Sequence, residues 1–157
     1  MTYVFEKMLT VCALRENQAL NRLVQSRAAL IRAEDLKRHK AQELAAFRRW
    51  RRDEERRLFD ELRGQPVAVK DVDLFNATVR TLRQDQADRT RQVEAAAGRV
   101  AEAQWELENA RQQYAKAYRR KVKLEEHQGI WLEIQRLQTE KIAENEMEEA
   151  CRHNLPR

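Results

Sequence analysis

Apolar residues return at alternating steps of four and three along most of the chain, the spacing that lines up one helix face for a partner helix. The second half carries the fuller pattern. Its frame runs through Phe75, Val79, Leu82, Val93, Ala96, Val100, Ala103, Leu107, Ala110, Tyr114, Ala117, Leu124, Trp131 and Ile142, with Gln86, Arg89, Lys121, Gln128, Gln135 and Gln138 as polar members. A sustained repeat of this kind predicts a left-handed supercoil, and its many alanines allow close helix approach. In the first half a frame passes through Leu9, Ala13, Leu20, Leu23, Leu30, Ala41, Leu44, Leu58 and Leu62. The same frame also takes in Glu16, Arg27, Glu34, Lys37, Arg48, Arg51 and Glu55, so this seam is mixed. Long Arg and Lys stems can cover apolar surface there while their charges reach water.

Between the halves, the stretch Gly64-Gln65-Pro66-Val67-Ala68-Val69-Lys70 holds one of three glycines and the only proline before position 156. Pro66 has no N–H to donate and blocks helix continuation. Beyond it, Asp71 or Asp73 can accept a hydrogen bond from the free N–H groups of a new helix start. The expected fold is all-α: a single long antiparallel two-helix coiled-coil hairpin over residues 1–157. The first helix covers about 3–63, the turn about 64–70, and the second helix about 71–152 with a C-terminal overhang.

Folding the two arms about Val67 pairs Phe59 with Phe75, Ile31 with Ala103, Val24 with Ala110, Leu20 with Tyr114 and Tyr3 with Trp131. Nearer the turn the same register brings Arg48, Arg51, Arg52 and Glu55 towards Val79, Leu82, Gln86 and Arg89, a waist where poor packing is expected. The second arm outlasts the first by roughly 20 residues, about 30 Å of helix. That tail carries Ile134, Leu137, Ile142 and Met147 on an interrupted apolar stripe, with Glu133, Glu140, Glu144, Glu146, Glu148 and Glu149 elsewhere. Its apolar face needs a partner. Gly98 and Gly129 each weaken a helix by about 1 kcal/mol relative to alanine, and read as tolerated positions in preference to hinges.

Composition agrees with a narrow core: 36% of the residues are charged and 6% aromatic, with almost no glycine or proline. The net charge of +5 permits contact with an acidic surface or nucleic acid and requires neither. No apolar run approaches the roughly 20 residues that cross a bilayer, and Glu6 and Lys7 interrupt what would have to be the apolar part of a signal peptide. A chain that does not span the membrane, in the cytoplasm, is expected. Cys12 falls opposite Val122 and Cys151 beyond the first arm, so two free thiols are expected. His39, His127 and His153 lie far apart, no glycine-rich phosphate loop is present, and a two-helix structure encloses no pocket that would tune a carboxyl group. No catalytic residue, cofactor, metal site or enzymatic activity is expected.

The densest local feature is Phe47-Arg48-Arg49-Trp50-Arg51-Arg52-Asp53-Glu54-Glu55-Arg56-Arg57-Leu58-Phe59. Arginines around an aromatic ring can grip nucleic acid. The adjacent acids, however, form pairs at helical spacing, such as Asp53 with Arg56 or Arg57, and that pattern suits a solvated face. Nucleic acid is not the expected partner.

The order Phe47, Arg48, Trp50, Arg51, Glu54, Glu55, Arg56, Leu58, Phe59, then Gly64, Val67, Asp71, Leu74, and finally Val79, Leu82 and Arg83, resembles the central part of the YscO/SctO family of bacterial type III secretion, whose flagellar counterpart is FliJ. The plan of a hairpin with a longer C-terminal arm is also similar. The resemblance implies a non-enzymatic central stalk at the cytoplasmic face of the secretion apparatus. Its helical ends would enter the secretion ATPase hexamer and promote its assembly or activity, its turn would reach towards the cytoplasmic domain of the export gate, and secretion chaperones would be further partners. By that analogy Leu74 and Phe75 face the gate, the alternative being that Phe75 only closes the hairpin against Phe59. Trp131, Ile134, Leu137, Ile142 and Met147 are the candidates for the ATPase end. Two other readings stay open: a structural or adaptor coiled coil that oligomerises or binds chaperones, and a basic nucleic-acid clamp.

Overall fold

Ala, Leu, Glu, Gln, Lys and Arg lose little side-chain freedom in a helix, and they dominate both halves of the chain. In the computed structural model, which describes residues 3–64 and 66–153, they form two helices, α1 (Glu6–Arg63) and α2 (Val69–His153). The fold is all-α, the two helices pack against each other, and no strand occurs among the described residues. Met1 and Thr2 of the expected domain, Gln65 of the expected turn and residues 154–157 lie outside the described residues.

Each helix start has a local cause. The Glu6 amide donates to the Tyr3 carbonyl at 3.1 Å, with Glu6 itself in the first turn where a carboxylate suits the helix dipole. At the head of α2, Asp71 Oδ2 accepts the Ala68 N–H at 3.1 Å while the Asp71 amide donates to the Ala68 carbonyl at 3.0 Å. This is the reach-back half of a capping box, so Asp71 and not Asp73 marks the start.

The helices run through two compact units, one of residues 24–109 and one formed by the residues up to Leu23 together with those from Ala110 onward. In the first unit Leu44, Leu82, Ala96, Val100, Ala103 and Leu107 are buried; in the second, Tyr3, Ala19, Leu23 and Ala110. Along α2 every member of the expected frame from Phe75 to Gln135 is buried or half-buried, and Gln138 and Ile142 are exposed.

On α1 the seam differs from expectation in one of its two rows. Leu9, Glu16, Leu23, Leu30, Leu44, Arg51 and Leu58 face inward, with Lys37 exposed. The companion row from Ala19 onward is Ala19, Ser26, Ala33, Lys40 and Phe47, one position before the expected Leu20, Arg27, Glu34, Ala41 and Arg48, all of which are exposed. Hydropathy favours Leu20 over Ala19 and Ala41 over Lys40, yet in both places the residue one position earlier faces inward, so the rotation of α1 about its axis and not the character of each side chain sets this row. Ile31 and Phe59, expected to be covered by Ala103 and Phe75, stand 58% and 55% exposed.

The waist is better satisfied than its composition suggests. Arg51 donates from Nε to Gln86 Oε1 at 2.8 Å and pairs with Glu55, which also lies 3.8 Å from Arg83, while the Arg89 guanidinium sits 4.5 Å over the Phe47 ring. Among the described residues no buried side-chain N or O lacks a hydrogen-bond partner. A methyl group added at Gly98 or Gly129 would meet nothing within 4 Å, so neither glycine is required by packing.

Two carboxylates on α1 give the fold an acid limb. The hydrogen bond from Arg57 holds Glu54 below the ordinary carboxylate range, and the one from Lys40 does the same for Glu43. A lowered folded pKa adds stability that is present above the unfolded value and is lost as pH falls through the folded one. The thermal midpoint is therefore expected to hold from neutrality to about pH 5 and to decline below about pH 4. The double variant Glu43→Gln, Glu54→Gln should show a shallower decline in a pH series followed by circular dichroism, and an unchanged one would reject these two groups as its source.

Candidate docking surfaces

The link between the helices shapes a cleft. Because Pro66 stops the helix and Asp71 restarts it, the last turns of α1 and the first turns of α2 meet over a short bridge and leave a cavity of about 390 Å³. Leu58 and Leu62 line it from α1, Pro66 and Val67 from the link, and Leu74, Phe75 and Thr78 from α2, with Glu61 and Asp71 as its acidic members. The two candidates named from the sequence share this cleft in different ways. Leu74 is 68% exposed, whereas Phe75 is half-buried as the first member of the α2 seam. Pro66, Val67, Leu58 and Leu62 were not among the site candidates, although the last two stood in the apolar frame that could have signalled them. Val69 and Val72 add further exposed apolar surface on the first turn of α2.

The second surface lies at the other set of candidates, in the unit that holds both termini. Tyr3 is buried against α2, its ring centroid 5.5 Å from that of Trp131 and 5.8 Å from that of His127. Its hydroxyl lies 2.7 Å from His127 Nδ1, and Phe5 meets the His127 ring edge-on at 5.6 Å. This cluster takes up part of Trp131, which is half-buried, so Trp131 differs from the other four tail candidates. Ile134, Leu137, Ile142 and Met147 are exposed, and from Arg136 onward so is every described residue. Nothing in the sequence around His127 signalled its part in this clasp.

Charge is distributed unevenly over this unit. Lys121 binds Glu16 at 3.3 Å and lies 3.8 Å from Glu125; its pKa is raised, first by the hydrogen bond to Glu16. In the tail, Arg136 donates to Glu133 at 2.6 Å and approaches Glu140 at 3.8 Å, and the Glu133 bond raises its pKa. Both cysteines are free, Cys12 half-buried and Cys151 exposed. Among the described residues no group of three or more His, Cys, Asp or Glu side chains is placed to hold a metal ion, and no helix is long and apolar enough to cross a membrane.

Comparison with known proteins gives the family of the chain. The family model described as type III secretion protein YscO matches residues 5–153. The chain belongs to the YscO family. Two solved structures share the fold. The YscO protein of Vibrio parahaemolyticus has a TM-score of 0.83 at 21% identity, with 92% of this chain and 91% of that one covered. A YscO homolog from Chlamydia trachomatis gives 0.77 at 18% identity, covering 97% and 93%. No curated protein sequence matches. As a YscO-family chain, this protein is a type III secretion component, and at each of its two candidate surfaces exposed apolar side chains stand beside one half-buried aromatic, Phe75 or Trp131.

Proposed function

We propose that this YscO-family chain is the non-enzymatic central stalk of a type III secretion system at the cytoplasmic face of the apparatus. The end of α2 enters the pore of the secretion ATPase hexamer and promotes its assembly or activity, the cleft beside Pro66 engages the cytoplasmic domain of the export gate, and secretion chaperones bind in addition. The observation that carries this reading is the tail. Beyond Trp131, where Tyr3 closes the contact between the helices, α2 continues for roughly 20 residues, about 30 Å, with Ile134, Leu137, Ile142 and Met147 uncovered. A length of helix with unpartnered apolar groups, continuous with a packed coiled coil, suits insertion into a ring.

The stalk contributes asymmetry and no chemistry of its own. One helix inside a six-fold ring contacts only some subunits at a time, and it biases their conformations to the extent that it binds one conformation better than another. Truncation after Leu132 is expected to abolish stimulation of ATP hydrolysis by the cognate ATPase, because it removes Ile134, Leu137, Ile142 and Met147 while sparing the Tyr3–Trp131 contact. The helical signal of the remaining chain should persist. Stimulation equal to that by the full chain would reject the tail as the ATPase contact.

A further inference from the structure

The exposed side of α1 near the turn carries a row that neither candidate surface uses. Arg48, Arg52, Arg56, Phe59 and Arg63 follow one another at steps of four, four, three and four, so they share one helix face, and all five are exposed. None of the four arginines is engaged by a carboxylate among the described residues; Arg52 makes only a long 3.4 Å bond to the Arg48 carbonyl. The row covers roughly fifteen residues, about 22 Å of helix. Phe59 is 55% exposed within it.

The tail of α2 carries the complementary row. Taken backwards from its end, Glu148, Glu144, Glu140, Leu137 and Glu133 follow at the same steps of four, four, three and four, and all five are exposed. Antiparallel alignment sets Arg48 against Glu148, Arg52 against Glu144, Arg56 against Glu140, Phe59 against Leu137 and Arg63 against Glu133. Between them Asp60, which is exposed, falls against Arg136. Glu144 and Glu148 have no ion pair among the described residues, and Glu133 and Glu140 share Arg136 between them, leaving carboxylate oxygens for a second guanidinium.

We propose that the acidic row of the tail docks on the basic row of α1 in a second copy of this chain. The match of spacing, charge and the single apolar pair selects that occupant over an unspecified acidic protein. This goes beyond the stalk reading and does not rest on it: the acidic row lies on the side of α2 away from Trp131, Gln135 and Ile142, and shares only Leu137 with the residues proposed for the ATPase contact. The two rows are different surfaces and each copy carries both, so the contact is heterologous and can repeat beyond a dimer. Exposed ion pairs are individually weak and screened by salt, so association is expected at low ionic strength and high protein concentration.

Sedimentation of the full chain tests this. The weight-average mass should rise with concentration at about 50 mM salt and return to the monomer at about 500 mM, where the screening length is less than half as great. Arg48→Glu with Arg52→Glu, or Glu144→Arg with Glu148→Arg, should each lower the association constant at least about tenfold. An equimolar mixture of the two variants, and the fourfold variant alone, should associate again. Circular dichroism confirms that each is helical. A monomer at every concentration in low salt, a salt response without concentration dependence, swaps without effect, or no recovery in the fourfold variant would each overturn the proposal.

Discussion

Replacing Leu74 with Asp is expected to weaken binding of the export-gate cytoplasmic domain by about thirtyfold, about 2 kcal/mol, while unfolding free energy stays within about 0.5 kcal/mol of the parent chain. The asymmetry between these effects comes from geometry. Leu74 borders the cleft beside Pro66 and is 68% exposed, so the folded chain gains little from its side chain and a partner seated in the cleft would gain much. A carboxylate there would also stand with Glu61 and Asp71, adding a third negative charge to the lining. Phe75 cannot make this distinction. It is half-buried in the α2 seam, and Phe75→Ala should reduce binding and stability together. Titration of the gate domain against both variants, with denaturant unfolding alongside, separates the two roles. Parental affinity in Leu74→Asp would remove the cleft from the gate interface.

The second large effect is on folding. Leu107→Ala is expected to cost about 2–3 kcal/mol in urea unfolding, the lower part of the range for a buried leucine, because a two-helix core encloses a side chain less completely than a multilayer one. Leu107 is 7% exposed and lies between Ala103 and Ala110 on the buried row, so its neighbours are too small to expand into the space it leaves. Trp105, two positions away and 69% exposed, is the matched control: Trp105→Ala should change stability by no more than about 0.5 kcal/mol despite the larger deletion. Equal losses at the two positions would mean that α2 is not oriented as described.

How far each feature was legible depended on whether periodicity or shape determined it. The α2 frame was readable because Val79, Leu82, Val93, Val100 and Leu107 recur without a slip, and burial follows that frame as far as Gln135. The first row of α1 was readable for the same reason. Its second row was not, since Leu20 outranks Ala19 and Ala41 outranks Lys40 in hydropathy, while the helix is rotated so that the residue one position earlier faces inward. Helix punctuation at Pro66 and Asp71 was legible from backbone chemistry alone, yet the start fell at Val69 because Asp71 caps from inside the first turn.

The candidate surfaces divide along the same line. Leu74 and Phe75 announce themselves as apolar residues just after a break, but the cleft between them and Leu58 and Leu62 exists only when both helices are in place. Register alone set Tyr3 beside Trp131. The clasp that His127 adds, through a 2.7 Å contact with the Tyr3 hydroxyl, depends on an isolated histidine whose neighbours in sequence carry no hint of it. In the waist, charge composition suggested poor packing because it could not show that Arg51 would find Gln86 across the seam.

That arginine also bears on sliding of one helix past the other. In coiled coils a polar pair at seam positions favours one alignment of the helices over others. Gln86 has Val79 and Val93 one heptad to either side in its row, so a slide of one helix past the other by a full repeat would set Arg51 against a valine and leave it only Glu55 of its own helix as a partner. A shift between registers costs the Arg51–Gln86 hydrogen bond and is disfavoured at this point of the hairpin.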